Sequence, residues 1–353
     1  VEPTIGQLRK AAKLYKRPLA VLLLPSPPVD FQPLRDFRKA SGAASARPWS
    51  PALHAEFKRA ISQREVILEL RELAPASVHA PDETVRFSDQ LPLDEVARQL
   101  RTILGLDTWT QRVLSDRYAA LKAAIAAVEN LGILVLQASG IDSSEMRGFS
   151  LSEWPWPVIV LNGSERPRGR LFTLLHELCH LAINAGGLCD LHERPAGQPR
   201  DEDRLEAYCN AVAAGILMPR ERFLQDPLVR SAPSGYRWTL DDLEVLSQRY
   251  GASSEAVLLR LVSLGLADWD LYWLRKPQLE LAYSAARERE RERQQESEGG
   301  PPFHVVKARN LGHGYVNAVL DAFHARAISS LDAADYLDVR FDQLTRLEQA
   351  AAS

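Results

Sequence analysis

Residues 170–184, RLFTLLHELCHLAIN, place two histidines four positions apart in a run that is otherwise mostly apolar. An α-helix advances about 100° per residue, so with His176 at zero, His180 falls near about 40°, Glu177 near about 100° and Leu178 near about 200°. The two imidazoles and the carboxylate share one arc. Leu171, Leu174, Leu175, Leu178 and Leu181 supply the buried sides. A helix of this kind must be packed on its leucine faces and open on its histidine face. Two imidazoles one turn apart, with a carboxylate beside the remaining coordination position, suit a divalent ion. The competing reading is a core helix whose two histidines are satisfied by hydrogen bonds.

A third protein ligand separates the two readings, because catalytic zinc commonly takes three protein ligands and keeps one position open. A histidine six residues beyond His180 is excluded, since position 186 is glycine. The following loop offers Cys189, Asp190, His192 and Glu193, and the stretch DRLEAYCNAVAAGILMP (203–219) offers Glu206. Glu206 is favoured because a ligand carried on a helix is held more firmly than one in a glycine-containing loop. Ala207, Ala211, Ala213, Ala214 and Gly215 are small enough to let two helices approach closely. Asn210, one turn beyond Glu206, is placed to orient a ligand. Two imidazoles and a carboxylate favour zinc, with manganese as the alternative.

Along the chain, helices are expected over 4–16, 18–24, 51–73, 92–104 and 118–132, the last two closed near Gly105 and Gly132. Short apolar strands are expected at ILVLQ (133–137), RGFSL (147–151) and PVIVLN (157–162). Pro157 suits an edge position for PVIVLN, where it could pair with an extended substrate; an internal strand is the equal alternative. Residues 239–266 read as two helices joined at Gly251, with Ser253 capping the second. ARERERERQQESEGGPP (286–302) reads as a solvated helix end running into a linker, followed by helices over 309–349. The expected fold class is α+β, mainly helical, with a small sheet.

Taken in order, RGFSL, PVIVLN, RLFTLLHELCHLAIN, LCDL and E-x-x-C-N followed by LMP resemble the ImmA/IrrE family of zinc-dependent peptidases. The resemblance covers about 92–228. It implies a zincin-like HExxH core, with His176, His180 and Glu206 as zinc ligands and Glu177 as the catalytic carboxylate of metal-assisted peptide hydrolysis. Cys179 replaces the small residue usual at its position.

Residues 1–24 resemble the last two helices of a lambda-repressor-like, XRE-type helix-turn-helix domain. The whole is then a long family form: 1–24 remnant DNA-binding helices, 25–91 helical connector, 92–230 peptidase domain, 231–285 helix-turn-helix-like region, 286–353 charged linker and C-terminal helices. The resemblance further implies a bacterial or phage regulator that cuts a cognate helix-turn-helix repressor under stress. DNA would be contacted through the N-terminal domain if its reading part is present.

Composition narrows the field. A net charge of −3 provides no global positive field for non-specific nucleic-acid binding. Three cysteines are not a disulfide framework, and no apolar run reaches the length of a membrane span, so a cytoplasmic location is expected. Two rival functions stand beside peptidase activity: a metal-sensing transcription regulator, and an antitoxin-like interaction protein. A structural or sensing site needs no general base, which is what Glu177 offers.

Overall fold

The computed structural model describes residues 49–78, 81–87, 91–108, 116–183, 199–296 and 302–351, together with Thr4, Gln7 and Gly300. The expected helices over 4–16 and 18–24, apart from Thr4 and Gln7, and the loop candidates Cys189, Asp190, His192 and Glu193 lie outside the described residues. In chain order the helices before the sheet are α1 (Pro51–Leu73), α2 (Leu93–Ile103) and α3 (Arg117–Glu129). The strands β1 (Leu134–Ala138), β2 (Gly148–Leu151) and β3 (Val158–Asn162) follow, then α4 (Pro167–Ile183) and α5 (Pro199–Leu217). Next come α6 (Arg220–Leu224), α7 (Pro227–Ser231), α8 (Leu240–Tyr250), α9 (Ser254–Ser263) and α10 (Trp269–Glu296). The chain closes with α11 (Phe303–Leu311), α12 (His313–His324), α13 (Ser330–Tyr336) and α14 (Leu344–Ala351).

Helix boundaries follow local chemistry. The Ser50 hydroxyl accepts the Leu53 amide at the start of α1, and Asp116 accepts the Tyr118 and Ala119 amides at the start of α3. Thr239 forms a reciprocal capping box with Asp242 at α8, Gly251 ends that helix at φ 66°, and the Ser253 hydroxyl caps α9.

The sheet runs β1-β3-β2, with β1 parallel and β2 antiparallel to β3. PVIVLN is therefore the central strand, and the edge position allowed by Pro157 is not the one it takes. Pro157 precedes the strand, where its missing N–H interrupts nothing, and its carbonyl accepts the Leu134 amide at 2.9 Å. Alternation along the strands sends side chains to two different cores. Val135, Ile159 and Leu161 join a cluster with α2–α5 and α8–α10, while Leu134, Leu136, Val158 and Val160 join a cluster with α1 and α11–α14.

Thus α1, from the expected connector (25–91), and α11–α14, from the expected C-terminal region (286–353), meet on the far face of the sheet. The joint between α11 and α12 touches β1 directly. Gly312 adopts φ +86°, and a Cβ there would lie 2.5 Å from the Val135 carbonyl oxygen, so only glycine fits. The charged run after 286 continues α10 as helix to Glu296. Among the described residues no helix is long and apolar enough to cross a membrane.

Candidate metal centre

The near face of the sheet carries α4, and α4 in turn packs on α5. Leu171, Leu174, Leu175, Leu178 and Leu181 are all fully or almost fully buried, which fixes the rotation of α4 about its axis. That rotation turns His176 and His180 toward α5. Their Nε2 atoms lie 3.0 Å apart, with the rings edge to face at 4.7 Å between centroids.

Glu206 of α5 completes the group. Its Oε2 is 3.2 Å from His176 Nε2 and its Oε1 is 3.2 Å from His180 Nε2. The three donors lie within 4.8 Å of one another. Tetrahedral zinc with bonds of about 2.0–2.1 Å has ligand atoms separated by about 3.3–3.4 Å. The convergence of two neutral-capable nitrogens and one carboxylate at nearly this spacing fits such an ion.

The electrostatics agree with a site that collects positive charge. Burial alone would raise the Glu206 carboxyl, but hydrogen bonds from His176 and His180 outweigh it and hold the group at about 2. Burial works against a charged His180, yet its hydrogen bond to Glu206 and the nearby Glu177 carboxylate raise its affinity for a proton. Cation and proton are interchangeable in such a field. His176 Nδ1 is buried and has no hydrogen-bond partner among the described residues.

Glu177 lies beside this group, is 8% exposed, and is held from the sheet. The Ser150 hydroxyl of β2 donates to Glu177 Oε2 at 2.8 Å. Gly148, two residues earlier on the same face of β2, lets the strand press against α4. A Cβ there would lie 2.5 Å from Thr173 Cγ2, 2.9 Å from the Val160 carbonyl oxygen and 3.5 Å from Glu177 Cγ. Ser150 and Gly148 escaped the sequence reading. Both lie in RGFSL, and the usable signal was the alternation that puts 148 and 150 on one face and Phe149 and Leu151 on the other.

Asn210 is exposed and no hydrogen bond ties it to a histidine or to Glu206 among the described residues. Of the small residues on α5, Ala213, Ala214 and Gly215 are buried, whereas Ala207 faces solvent and Ala211 is half-buried. Tyr208 donates its hydroxyl to the Leu91 carbonyl at 3.1 Å, and the buried Arg170 guanidinium donates to Gln137 Oε1 at 2.6 Å. Cys179 and Cys209 are fully buried free thiols. Their contact with each other and their burial push the Cys209 thiol up, and the two pack between α4 and α5.

A His-Glu-x-x-His helix laid on a small sheet, with a carboxylate supplied by the next helix, thus gathers three donors that could hold a metal ion. Residues 128–262 match the family model described as the IrrE N-terminal-like domain, Peptidase_M78. The match takes in α8 and most of α9, beyond the expected boundary at 230, so that helix pair is part of the matched region. The chain is 36% identical over 106 residues to the radiation response metalloprotease IrrE of Deinococcus deserti, covering 30% of this chain and 35% of the relative. It is 37% identical over 107 residues to the protein of the same name from Deinococcus radiodurans, covering 30% of each. The chain spans about a third of the length of these relatives.

Proposed function

We propose that this chain is a zinc-dependent endopeptidase of a bacterial or phage regulatory system, and that it cleaves a cognate helix-turn-helix repressor to relieve repression. The observation that carries the reading is the convergence of His176, His180 and Glu206 beside a carboxylate that takes no part in that convergence. His176, His180 and Glu206 would hold the ion, which supplies Lewis-acid polarisation of a carbonyl and acidifies a water.

The chain's own residues do the rest. Glu177 takes the proton from the attacking water and delivers it to the leaving nitrogen, the role of a general base and then acid. Its carboxylate needs one oxygen directed at the water, and the bond from Ser150 to Oε2 leaves Oε1 for that task. The closeness of β2 to α4, made possible by Gly148, brings the strand edge beside the same carboxylate. With β3 central, β2 is the edge strand next to the site, and its outer edge is the place for an extended substrate segment to pair. The relatives are named for a radiation response, which supports a stress-linked role for the cleavage.

A metal-sensing regulator would share the three donors but would have no use for a buried carboxylate held beside them by a strand hydroxyl. The test has two arms. Elemental analysis of protein purified without added metal should find about one zinc per chain, lost in His176→Ala and Glu206→Ala. Incubation with a candidate repressor should give cleavage that Glu177→Gln abolishes while retaining zinc. Zinc retained with no cleavage of any helix-turn-helix repressor would favour the sensor.

A further inference from the structure

Helix α10 is apolar on two opposite faces. Leu271, Tyr272 and Leu279 are buried against the body of the protein. On the other side Trp269, Trp273, Pro277, Leu281 and Leu274 fall within an arc of about 140°, which also takes in Asp270 and Glu280. Trp269 is 56% exposed, Trp273 61%, Leu274 49% and Leu281 72%. One face explains why the helix docks on its own chain. The second has no partner within the described residues, and a helix apolar on both sides ordinarily has neighbours on both.

We propose that this outward stripe is a homodimer interface in which α10 packs antiparallel against α10 of a second copy. Area is the first argument. Two tryptophans, two leucines and a proline at these exposures offer roughly 500–600 Å² per copy. That matches the largest apolar patch a soluble monomer usually carries. Doubled across a two-fold axis it reaches roughly 1,100 Å², close to the lower bound of a specific interface before any flanking residue is counted. Exposed tryptophans at the centre of a patch are also the residues on which association energy concentrates.

Charge supplies the orientation. Lys276 falls about 20° outside Trp269 and Glu280 about 20° inside it, one turn apart along the same edge of the stripe, and Lys276 Nζ sits 5.4 Å from the Trp273 ring centre. In an antiparallel pair each rim meets the same rim of the other copy. A two-fold axis near Gln278 then sets Lys276 opposite Glu280 of the partner subunit, twice. A parallel pairing would bring this rim against the opposite one and lose both pairs.

Sedimentation velocity of the full chain from about 1 to 100 µM tests this. A concentration-dependent dimer is expected. Trp273→Glu and Leu281→Glu should each weaken it at least about 30-fold while circular dichroism stays unchanged, because both side chains face water in the single chain. Lys276→Glu alone and Glu280→Lys alone should each weaken dimerisation about 5- to 10-fold, and the double exchange should restore it. A wild-type chain that stays monomeric at the highest concentration overturns the proposal. So does a dimer indifferent to Trp273→Glu and Leu281→Glu, which would lie on another surface. Failure of the double exchange to rescue overturns the antiparallel register. None of these outcomes depends on peptidase activity.

Discussion

Ser150 Oγ on β2 lies 2.8 Å from Glu177 Oε2 on α4, so the sheet holds the carboxylate that stands beside the His176, His180 and Glu206 group. A hydrogen bond to a charged group contributes about 1.5–3 kcal/mol. If Glu177 moves protons during cleavage, Ser150→Ala should lower kcat for a repressor substrate about 10- to 100-fold. KM and zinc content should stay close to wild type, because Ser150 is not one of the three residues proposed to hold the ion. Ser150→Thr keeps the hydroxyl and should recover most of the loss. An equal fall in zinc content would show instead that the substitution disturbs the whole site.

The approach of β2 to α4 depends on the absence of a side chain at Gly148. An alanine methyl there meets Thr173 Cγ2 at 2.5 Å and the Val160 carbonyl oxygen at 2.9 Å, and the second of these is backbone that cannot turn away. Gly148→Ala should destabilise the fold by about 1–3 kcal/mol through overpacking. Thr173→Ser removes one of the two contacts, so the double variant should regain part of the lost Tm but not all of it. Thermal denaturation of the three variants, compared with wild type, reads this directly.

Much of this arrangement was legible in the sequence, and the missing parts have physical reasons. Helix periodicity and caps located α1, α3, α8 and α9 closely, because Thr239, Gly251 and Ser253 act through local chemistry. The closeness of His176, His180 and Glu206 was legible because helical spacing pairs the imidazoles and a helix holds a donor more firmly than a loop. Strand order was not. Val158–Asn162 is buried on both faces, and an apolar run of that kind pairs equally well at an edge or at the centre until its neighbours are known. The return of α11–α14 to the sheet depends on Gly312 meeting the Val135 carbonyl, a contact 177 positions apart by numbering that no local pattern encodes. Ser150 was invisible for a similar reason: a lone serine in a strand has meaning only once α4 lies across it.

Glu206 is the donor that joins α5 to α4, and an ion there should tie the two helices together. A ligand present at about 1,000 times its Kd stabilises the folded state by about 4 kcal/mol. Zinc-loaded wild-type protein should therefore melt several degrees above chelator-treated protein. Glu206→Gln keeps the shape but loses the charge that draws the cation, and its melting temperature should be nearly the same with zinc or with chelator. A wild-type chain whose melting temperature ignores zinc would contradict the assignment.

Glu129, at the C-terminal end of α3, accepts the Gly314 amide at 2.9 Å in the first turn of α12. It thus joins the near-face helices to the far-face helices at a desolvated point. Burial pushes its carboxyl up from 4.5 to about 7, and the Gly314 bond only partly offsets this. The native state therefore binds this proton more tightly than the unfolded chain does. The contribution to stability is fully present below about pH 4.5 and falls as pH rises toward 7, above which it is lost. The loss is on the order of 3 kcal/mol. Glu129→Gln keeps an acceptor for Gly314 and removes the titration. Its Tm should match wild type near about pH 4.5 and exceed it near about pH 8, flattening the wild-type decline between them. Equal slopes for the two proteins across that interval would show that Glu129 is charged in the native state and that water reaches it.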